Sequence, residues 1–110
     1  MSDRYEIEWA PVAQRDLDEI IAYLASRDSV DAAIRVCEQV LRRIDALQTH
    51  PERCRIVPEL DRIGVLEYRE LVIPPHGIFY RIRGHTVGIV GVLDRRRDLE
   101  EVLLRRVLQA

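Results

Sequence analysis

The sequence predicts an α+β domain in which a helical hairpin packs on an antiparallel sheet, in the order β-α-α-β-β-β-α with a short C-terminal helix. Three successive stretches of apolar periodicity support this class. Apolar and charged residues alternate over residues 4–9, apolar residues recur at steps of three and four over residues 13–47, and alternation returns from residue 68. Consecutive helices next to consecutive strands indicate separate layers, and we expect a single domain over residues 1–110.

The first strand is predicted over residues 4–9. Tyr5, Ile7 and Trp9 lie on one of its faces, and charged residues lie on the other. Pro11 ends this strand and suits the first turn of a helix, where its missing N–H is no loss.

Two helices follow, and the link between them is so short that they must fold back as an antiparallel hairpin. Asp28-Ser29 offers an N-cap for the second helix, and Pro51 marks the end of that helix. The apolar stripes of the two helices consist of Ala13, Leu17, Ile20, Ile21 and Leu24, and of Ala33, Cys37, Val40, Ile44 and Leu47.

After an irregular connection over residues 52–66, the chain is predicted to be mainly strand. The expected strands are Tyr68–Ile73, Ile78–Arg83 and Thr86–Leu93, with Pro74 to Gly77 as the first turn. Gly84-His85 has the length and the leading glycine of a type II′ hairpin turn. The last strand is apolar on both faces, which predicts a central position. Asp98 and Glu101 have the spacing of a capping box for the C-terminal helix.

Composition excludes several classes of protein. Of the 110 residues, 47% are hydrophobic and 33% are charged, which is not the composition of a disordered chain. The longest apolar stretch, Val87–Leu93, is far shorter than the ~20 residues of a membrane span, and Met1–Glu6 lacks the apolar run of a signal peptide. We therefore expect a cytoplasmic protein. The cysteines and histidines lack metal-ligand spacing, so neither a metal nor a cofactor is expected.

The charge is unevenly distributed. Residues 1–52 carry 6 Arg against 11 acidic residues, whereas residues 53–110 carry 11 Arg against 8, so net charges of −5 and +3 make up the total of −2. A basic half suggests a surface for an anionic partner, although mixed charges also serve solubility alone. No serine lies in a G-x-S-x-G turn and no lysine is present for a phosphate-binding loop.

Arginines are the strongest candidates for a site. Arg69 and Arg81 lie on separate strands, and Arg95 to Arg97 follow the central strand. Clustered guanidinium groups bind phosphates or carboxylates through paired hydrogen bonds. The alternative is that Arg95 to Arg97 form a solvated turn in which one of them pairs with Asp94 or Asp98.

Two strand tyrosines, Tyr68 and Tyr80, also allow two interpretations. Either ring could stack on a base, or it could belong to the core with its hydroxyl at the edge of the sheet.

Several segments resemble ParE-type toxins of the RelE/ParE toxin–antitoxin superfamily, the plasmid stabilisation toxins. They run in order through nearly the whole chain: WAPxAxxDLxxIxxYL at 9–24, IxxLxxxP at 44–51, YRELV at 68–72, IFYR at 78–81 and VLDRRRDL at 92–99. The resemblance implies a RelE-like fold. It also implies a toxin that inhibits DNA gyrase by protein contact, without catalysis, and forms a hetero-oligomer with a ParD-like ribbon-helix-helix antitoxin.

By the same resemblance, we expect the antitoxin to contact Leu17, Ile21, Leu24 and Tyr80, and the target to contact Arg95, Arg96 and Arg97. The chain departs from the family at two points: a basic residue is often found at the position of Gly77, and a histidine is often found near Asp94.

Two alternatives remain open at this stage. A RelE-type, ribosome-dependent mRNA interferase would use Arg69, Arg81 and Arg95 on the phosphate. Its usual strand arginine falls at Gly77 here, and no tyrosine follows Tyr80, so that catalytic set is incomplete. The other alternative is a non-toxic binding module that retains only antitoxin binding.

Overall fold

A five-stranded sheet with helices on both faces is seen in the computed structural model, which describes residues 4–109. Residues 1–3 and 110, which belong to the single-domain prediction, lie outside the described residues. The elements are β1 (Glu6–Trp9), α1 (Pro11–Arg27), α2 (Val30–Asp45), β2 (Arg55–Ile56), α3 (Pro58–Asp61), β3 (Tyr68–Ile73), β4 (His76–Arg83), β5 (Thr86–Asp94) and α4 (Glu100–Gln109), with 3-10 turns at Ala46–Gln48 and Pro51–Arg53.

The strand order is β1-β5-β4-β3-β2. The neighbours among β2 to β5 are antiparallel, but β1 runs parallel to β5, with Glu6 beside Thr86 and Trp9 beside Ile89. The predicted α+β class and helical hairpin are confirmed, and the expectation of a wholly antiparallel sheet is corrected. A parallel partner requires a long crossover, and here everything between β1 and β5 forms that crossover.

The hairpin of α1 and α2 covers one face of the sheet, which we call the hairpin face. Ser29 Oγ accepts a hydrogen bond of 3.0 Å from the N–H of Ala32, as the predicted N-cap requires. Apolar side chains of both helices and three strands are buried together on this side, among them Leu17, Val40, Ile44, Ile78, Tyr80 and Ile89.

The opposite face carries a second core beneath α3 and α4. Its buried members include Val57, Leu60, Phe79, Leu93, Leu99 and Leu103. β5 contributes to both cores, which confirms its predicted central position. β2 and α3 occupy part of the predicted irregular connection. At two and four residues they are too short to show a period. Over residues 4–109, no helix has the length and apolar character that crossing a membrane would require.

The two hairpin turns differ in how well they were predicted. Gly84 has a φ of 56° and no described non-glycine residue has a positive φ, which fits the type II′ turn at Gly84-His85. The preceding turn is shorter than expected, because β4 already begins at His76 and only Pro74 and Pro75 separate it from β3.

A β-bulge in β5 shifts the register of the β4–β5 pair by one residue. Phe79 lies opposite Gly91 and Tyr80 lies opposite Ile89, so Val90 has no partner in β4. Arg106 of α4 donates to the carbonyl oxygen of Val90 at 2.8 Å. Asp16 of α1 accepts from the N–H of Val92 at 3.0 Å, and its ion pair with Arg106 spans 2.8 Å. The bulge is therefore held by side chains from the first and last helices.

Candidate functional site

The Arg95 to Arg97 segment forms a turn directly after β5. Asp94 organises this turn: its side chain accepts from the N–H of Arg96 at 2.9 Å, and its carbonyl oxygen accepts from the N–H of Arg97 at 3.2 Å. The N–H of Arg95 donates to the carbonyl oxygen of Pro75 at 2.8 Å. The three arginines thus share one backbone turn, but their side chains have different surroundings.

The Arg95 side chain is largely enclosed. Its Nη1 lies 2.8 Å from Glu59 Oε2 and its Nε lies 2.9 Å from Glu70 Oε2. Its guanidinium carbon lies 6.0 Å from the centre of the Phe79 ring, within the range of a cation–π contact. The Arg95 side chain is therefore held by contacts with β3, β4 and α3.

Glu70 is the one charged residue among the buried residues described, and it explains the glycine at position 77. Its Oε1 accepts from Arg55 Nη2 at 2.8 Å, and its side chain is fully shielded from solvent. A Cβ at Gly77 would lie 2.2 Å from Glu70 Oε2 and 3.0 Å from Arg95 Cδ. The basic residue that the resemblance leads us to expect at this position cannot be accommodated unless the buried carboxylate moves.

Arg96 makes the ion pair with Asp94 that the alternative interpretation of this segment expected. Its Nη2 lies 2.7 Å from Asp94 Oδ2, and its side chain is 75% exposed. The hydrogen bonds from Arg96 lower the pKa of Asp94 to about 2. Arg97 is exposed and, among the residues that the structure describes, none pairs with its side chain.

We expect Arg96→Ala to raise the pKa of Asp94 from about 2 towards 3.8, its ordinary value. Because the native pKa is depressed, the pair stabilises the fold above the unfolded-state pKa of about 4 and loses that contribution as the pH falls towards 2. A pH titration of the Asp94 carboxyl followed by NMR measures the shift. Arg97→Ala is the matched control, and equal titration curves for the two variants would contradict the assignment.

Sequence reasoning missed His76, which lies opposite Asp94 in the β4–β5 pair. Burial lowers the pKa of His76, and the nearby Asp94 carboxylate partly opposes that shift. Counting back from the Gly84-His85 turn places His76 opposite Leu93, and only the bulge at Val90 moves it to Asp94. A histidine thus lies beside Asp94 in space, although the sequence around Asp94 lacks one.

The structure does not bring the proposed nuclease residues together. Arg69 lies opposite Tyr80 on the hairpin face, where its Nη1 donates to the carbonyl oxygen of Cys54 at 2.8 Å. Arg81 lies on the other face and donates to the Tyr68 hydroxyl at 3.0 Å. Arg95 is also on that second face, held by its two carboxylates. Because strand alternation places Arg69 on the opposite face from Arg81 and Arg95, the structure does not support the expectation that these three arginines share one phosphate.

Two of the four predicted antitoxin contacts belong to the core. Leu17 is 3% exposed and Tyr80 is fully buried, with its hydroxyl donating to the carbonyl oxygen of Pro51 at 2.5 Å. Burial raises the pKa of Tyr80 above its ordinary value. Tyr68 is buried as well, so both tyrosines follow the core interpretation. Ile21 is half-buried against the first core, and Leu24 lines a surface groove.

That groove lies between the helical hairpin and the end of the sheet, and we call it the α1–β5 groove. Its volume is about 350 Å³. Apolar side chains from four elements and the Pro74-Pro75 turn line it, among them Ile20, Leu24, Val36, Ile73 and Val92. Tyr23, Arg96 and Arg97 border it as well, and Tyr23 is 56% exposed. The groove joins residues predicted separately as antitoxin and target contacts.

The chain is similar to a family of known proteins over most of its length. The family model described as the ParE toxin of the type II toxin–antitoxin system parDE matches residues 7–99. The chain belongs to the ParE toxin family. Toxin ParE1 of Mycobacterium tuberculosis is 35% identical over 104 residues, which cover 94% of this chain and all of that protein. The putative toxin Y4kP of Sinorhizobium fredii is 36% identical over 103 residues, covering 91% of this chain and 98% of that protein.

Solved structures confirm the fold that the ParE resemblance implied. A chain of the chromosomal ParDE system from P. aeruginosa superimposes with a TM-score of 0.70 at 19% identity, covering 84% of this chain and 98% of that one. A chain of the RelBE2 toxin–antitoxin complex from Mycobacterium tuberculosis superimposes with a TM-score of 0.57 at 20% identity, covering 86% and 94%. This ParE-type toxin therefore has the fold of both solved chains.

Proposed function

We propose that this ParE-type toxin inhibits DNA gyrase by binding it, makes or breaks no bond itself, and is neutralised by a ParD-like antitoxin. The observation that carries the proposal is the division among the arginines. Arg69, Arg81 and Arg95 are tied to structural partners on two faces of the sheet, whereas Arg96 and Arg97 are exposed at one turn. The exposed turn is available to a large partner, whereas Arg69, Arg81 and Arg95 are held by their structural partners and are not available to a phosphate.

Surface contact has the right chemistry at this turn. Arg and Tyr are enriched among the residues that dominate protein–protein binding energies, and Arg96, Arg97 and Tyr23 border the same groove. No ion pair among the described residues has to break before the Arg97 guanidinium binds a carboxylate or phosphate of another molecule.

The test separates gyrase from the translating ribosome. We expect expression of the chain to arrest bacterial growth and purified chain to inhibit DNA supercoiling by purified gyrase, with cellular transcripts intact. Co-expression with the product of the neighbouring reading frame restores growth. Replacing both surface arginines, as in R96E/R97E, reduces gyrase inhibition at least tenfold, or about 1.4 kcal/mol of binding free energy.

Arg83→Glu is the matched control, because Arg83 is exposed at the far end of β4. Ribosome-dependent cleavage of transcripts with undisturbed supercoiling would replace the proposal with an mRNA interferase. Tight antitoxin binding without growth arrest would replace it with a non-toxic binding module.

A further inference from the structure

Helix α2 carries a second apolar stripe, next to the one that it buries in the first core. The members of this stripe recur at steps of four, three and four residues, which is the spacing of the contact positions in a coiled coil. They are Val30, Ile34, Cys37 and Leu41, and we call them the outer stripe of α2. Val30, Ile34 and Leu41 are between 45% and 64% exposed, and Cys37 is half-buried. A continuous apolar row on the surface indicates a contact with another molecule.

The outer stripe leads to the edge of the sheet. Leu41 lines a hollow of about 570 Å³ together with Ile7 and Trp9 of β1, which is the edge strand. This hollow and the α1–β5 groove have no lining residue in common. A partner on the outer stripe therefore does not occupy the groove that Arg96 and Arg97 border.

A row of alternating charges runs beside the outer stripe. Each member of this row directly follows a member of the stripe in sequence, so the row lies about 100° further around the helix. Its members are Asp31, Arg35, Glu38 and Arg42. All four are exposed, and none of them forms an ion pair within the part of the chain that the structure describes. Their charges are therefore available to a partner.

The charged row is complementary to itself when a second copy of α2 runs antiparallel. Residues 31 and 42 lie equally far from a point between Val36 and Cys37, and so do residues 35 and 38. A two-fold axis through that point brings each acidic residue of one copy level with an arginine of the other. In a parallel pair, every charge would instead lie level with the same charge of the other copy. The pattern therefore favours a second copy of this chain, in antiparallel orientation, on the outer stripe.

We propose that two copies of the free toxin form a two-fold symmetric dimer through an antiparallel pair of α2 helices. The outer stripes interdigitate in this pair, so that Val30 of one copy lies beside Leu41 of the other and covers the hollow next to β1. Affinity comes from the apolar surface that is buried, while the exposed ion pairs set orientation and register. The inference concerns the free toxin and does not depend on the identity of its target.

Sedimentation of the purified chain over a dilution series measures the dissociation constant of the dimer. We expect the unaltered chain to dimerise and Ile34→Glu to weaken the dimer about tenfold or more, because it places a charge in the centre of the apolar contact. Ile63→Glu is the matched control, since Ile63 is 47% exposed, as Ile34 is, and lies outside α2. This control should dimerise within about threefold of the unaltered chain.

A chain that is monomeric at every concentration, or equal effects of the two glutamate substitutions, would overturn the dimer. If the unaltered chain is monomeric and Ile34→Glu instead weakens binding of the neighbouring reading frame's product, the outer stripe belongs to that partner and the proposal is wrong.

A charge exchange tests the antiparallel arrangement without touching the apolar stripe. We expect Asp31→Arg to weaken the dimer about fivefold, because the symmetry repeats the new repulsion with Arg42 twice. Adding Arg42→Asp in the same chain, as in D31R/R42D, should restore the affinity. Persistent weakness of the double variant would rule out the antiparallel pairing.

Gyrase inhibition separates this inference from the proposed function. Ile34→Glu should inhibit supercoiling as the unaltered chain does, and R96E/R97E should still dimerise, because the two sites have separate residues. A dimer that does not inhibit gyrase would refute the proposed function and support the inference, whereas a monomer that inhibits gyrase would do the reverse.

Discussion

Gly77→Ala is expected to destabilise the fold by about 3 kcal/mol or more, the scale of overpacking a core and disturbing a buried ion pair together. The added Cβ would lie 2.2 Å from Glu70 Oε2, 3.0 Å from Arg95 Cδ and 3.0 Å from Phe79 Cζ. Glu70 is 1% exposed, so its carboxylate can move aside only by giving up its arginines. Urea unfolding measures the loss.

Gly88→Ala is the control for this prediction. Gly88 also lies in a strand of the sheet, but its nearest neighbour to an added Cβ is the carbonyl oxygen of Arg81 at 3.9 Å, an ordinary contact. Its free energy of unfolding should change by about 1 kcal/mol or less. Similar losses at the two glycines would show that the Glu70 carboxylate does not set the requirement at position 77.

Arg95→Met is expected to cost about 3 to 5 kcal/mol, because removing one partner leaves buried charge uncompensated. Glu59 loses its ion pair, and Glu70 keeps only Arg55, whose side chain is 48% exposed. Thermal and urea unfolding measure this cost. Arg97→Met is the matched control, and a change within about 0.5 kcal/mol is typical of an exposed residue without partners.

A stable Arg95→Met variant would contradict the structural role of Arg95 and return this arginine to the candidate contacts. If Arg95→Met is as unstable as expected, loss of toxicity in an Arg95 variant reflects loss of the fold and not loss of a target contact. Arg96 and Arg97 variants are then the informative ones for the target.

The long periodic elements could be predicted from the sequence, because apolar stripes mark α1 and α2 and alternation marks β3 to β5. What could not be predicted depends on single contacts between distant segments. The bulge at Val90 is invisible to periodicity, yet it decides that His76 meets Asp94. Arg95 to Arg97 are identical in type, and only the fold encloses the first and exposes the last.

Apolar periodicity likewise identified Leu17 and Leu24 as one stripe without showing that Leu17 is covered and Leu24 faces a groove. One local signal did exist for the buried carboxylate. A glycine in a strand indicates close approach by another group, and Gly77 carries that signal once β4 is seen to begin at His76 rather than after the predicted turn.

The parallel pairing of β1 with β5 affects the order in which the newly made chain can fold on the ribosome. β1 is synthesised before the other described elements, but it pairs in the sheet with Thr86 to Ile89. The ion-pair partner of Asp16, Arg106, follows some 90 residues later. At ~5–20 residues per second, translation leaves the helical hairpin without its sheet for several seconds. Its apolar stripe stays open to other molecules in that interval, so the first core closes only after the chain has been made as far as β5.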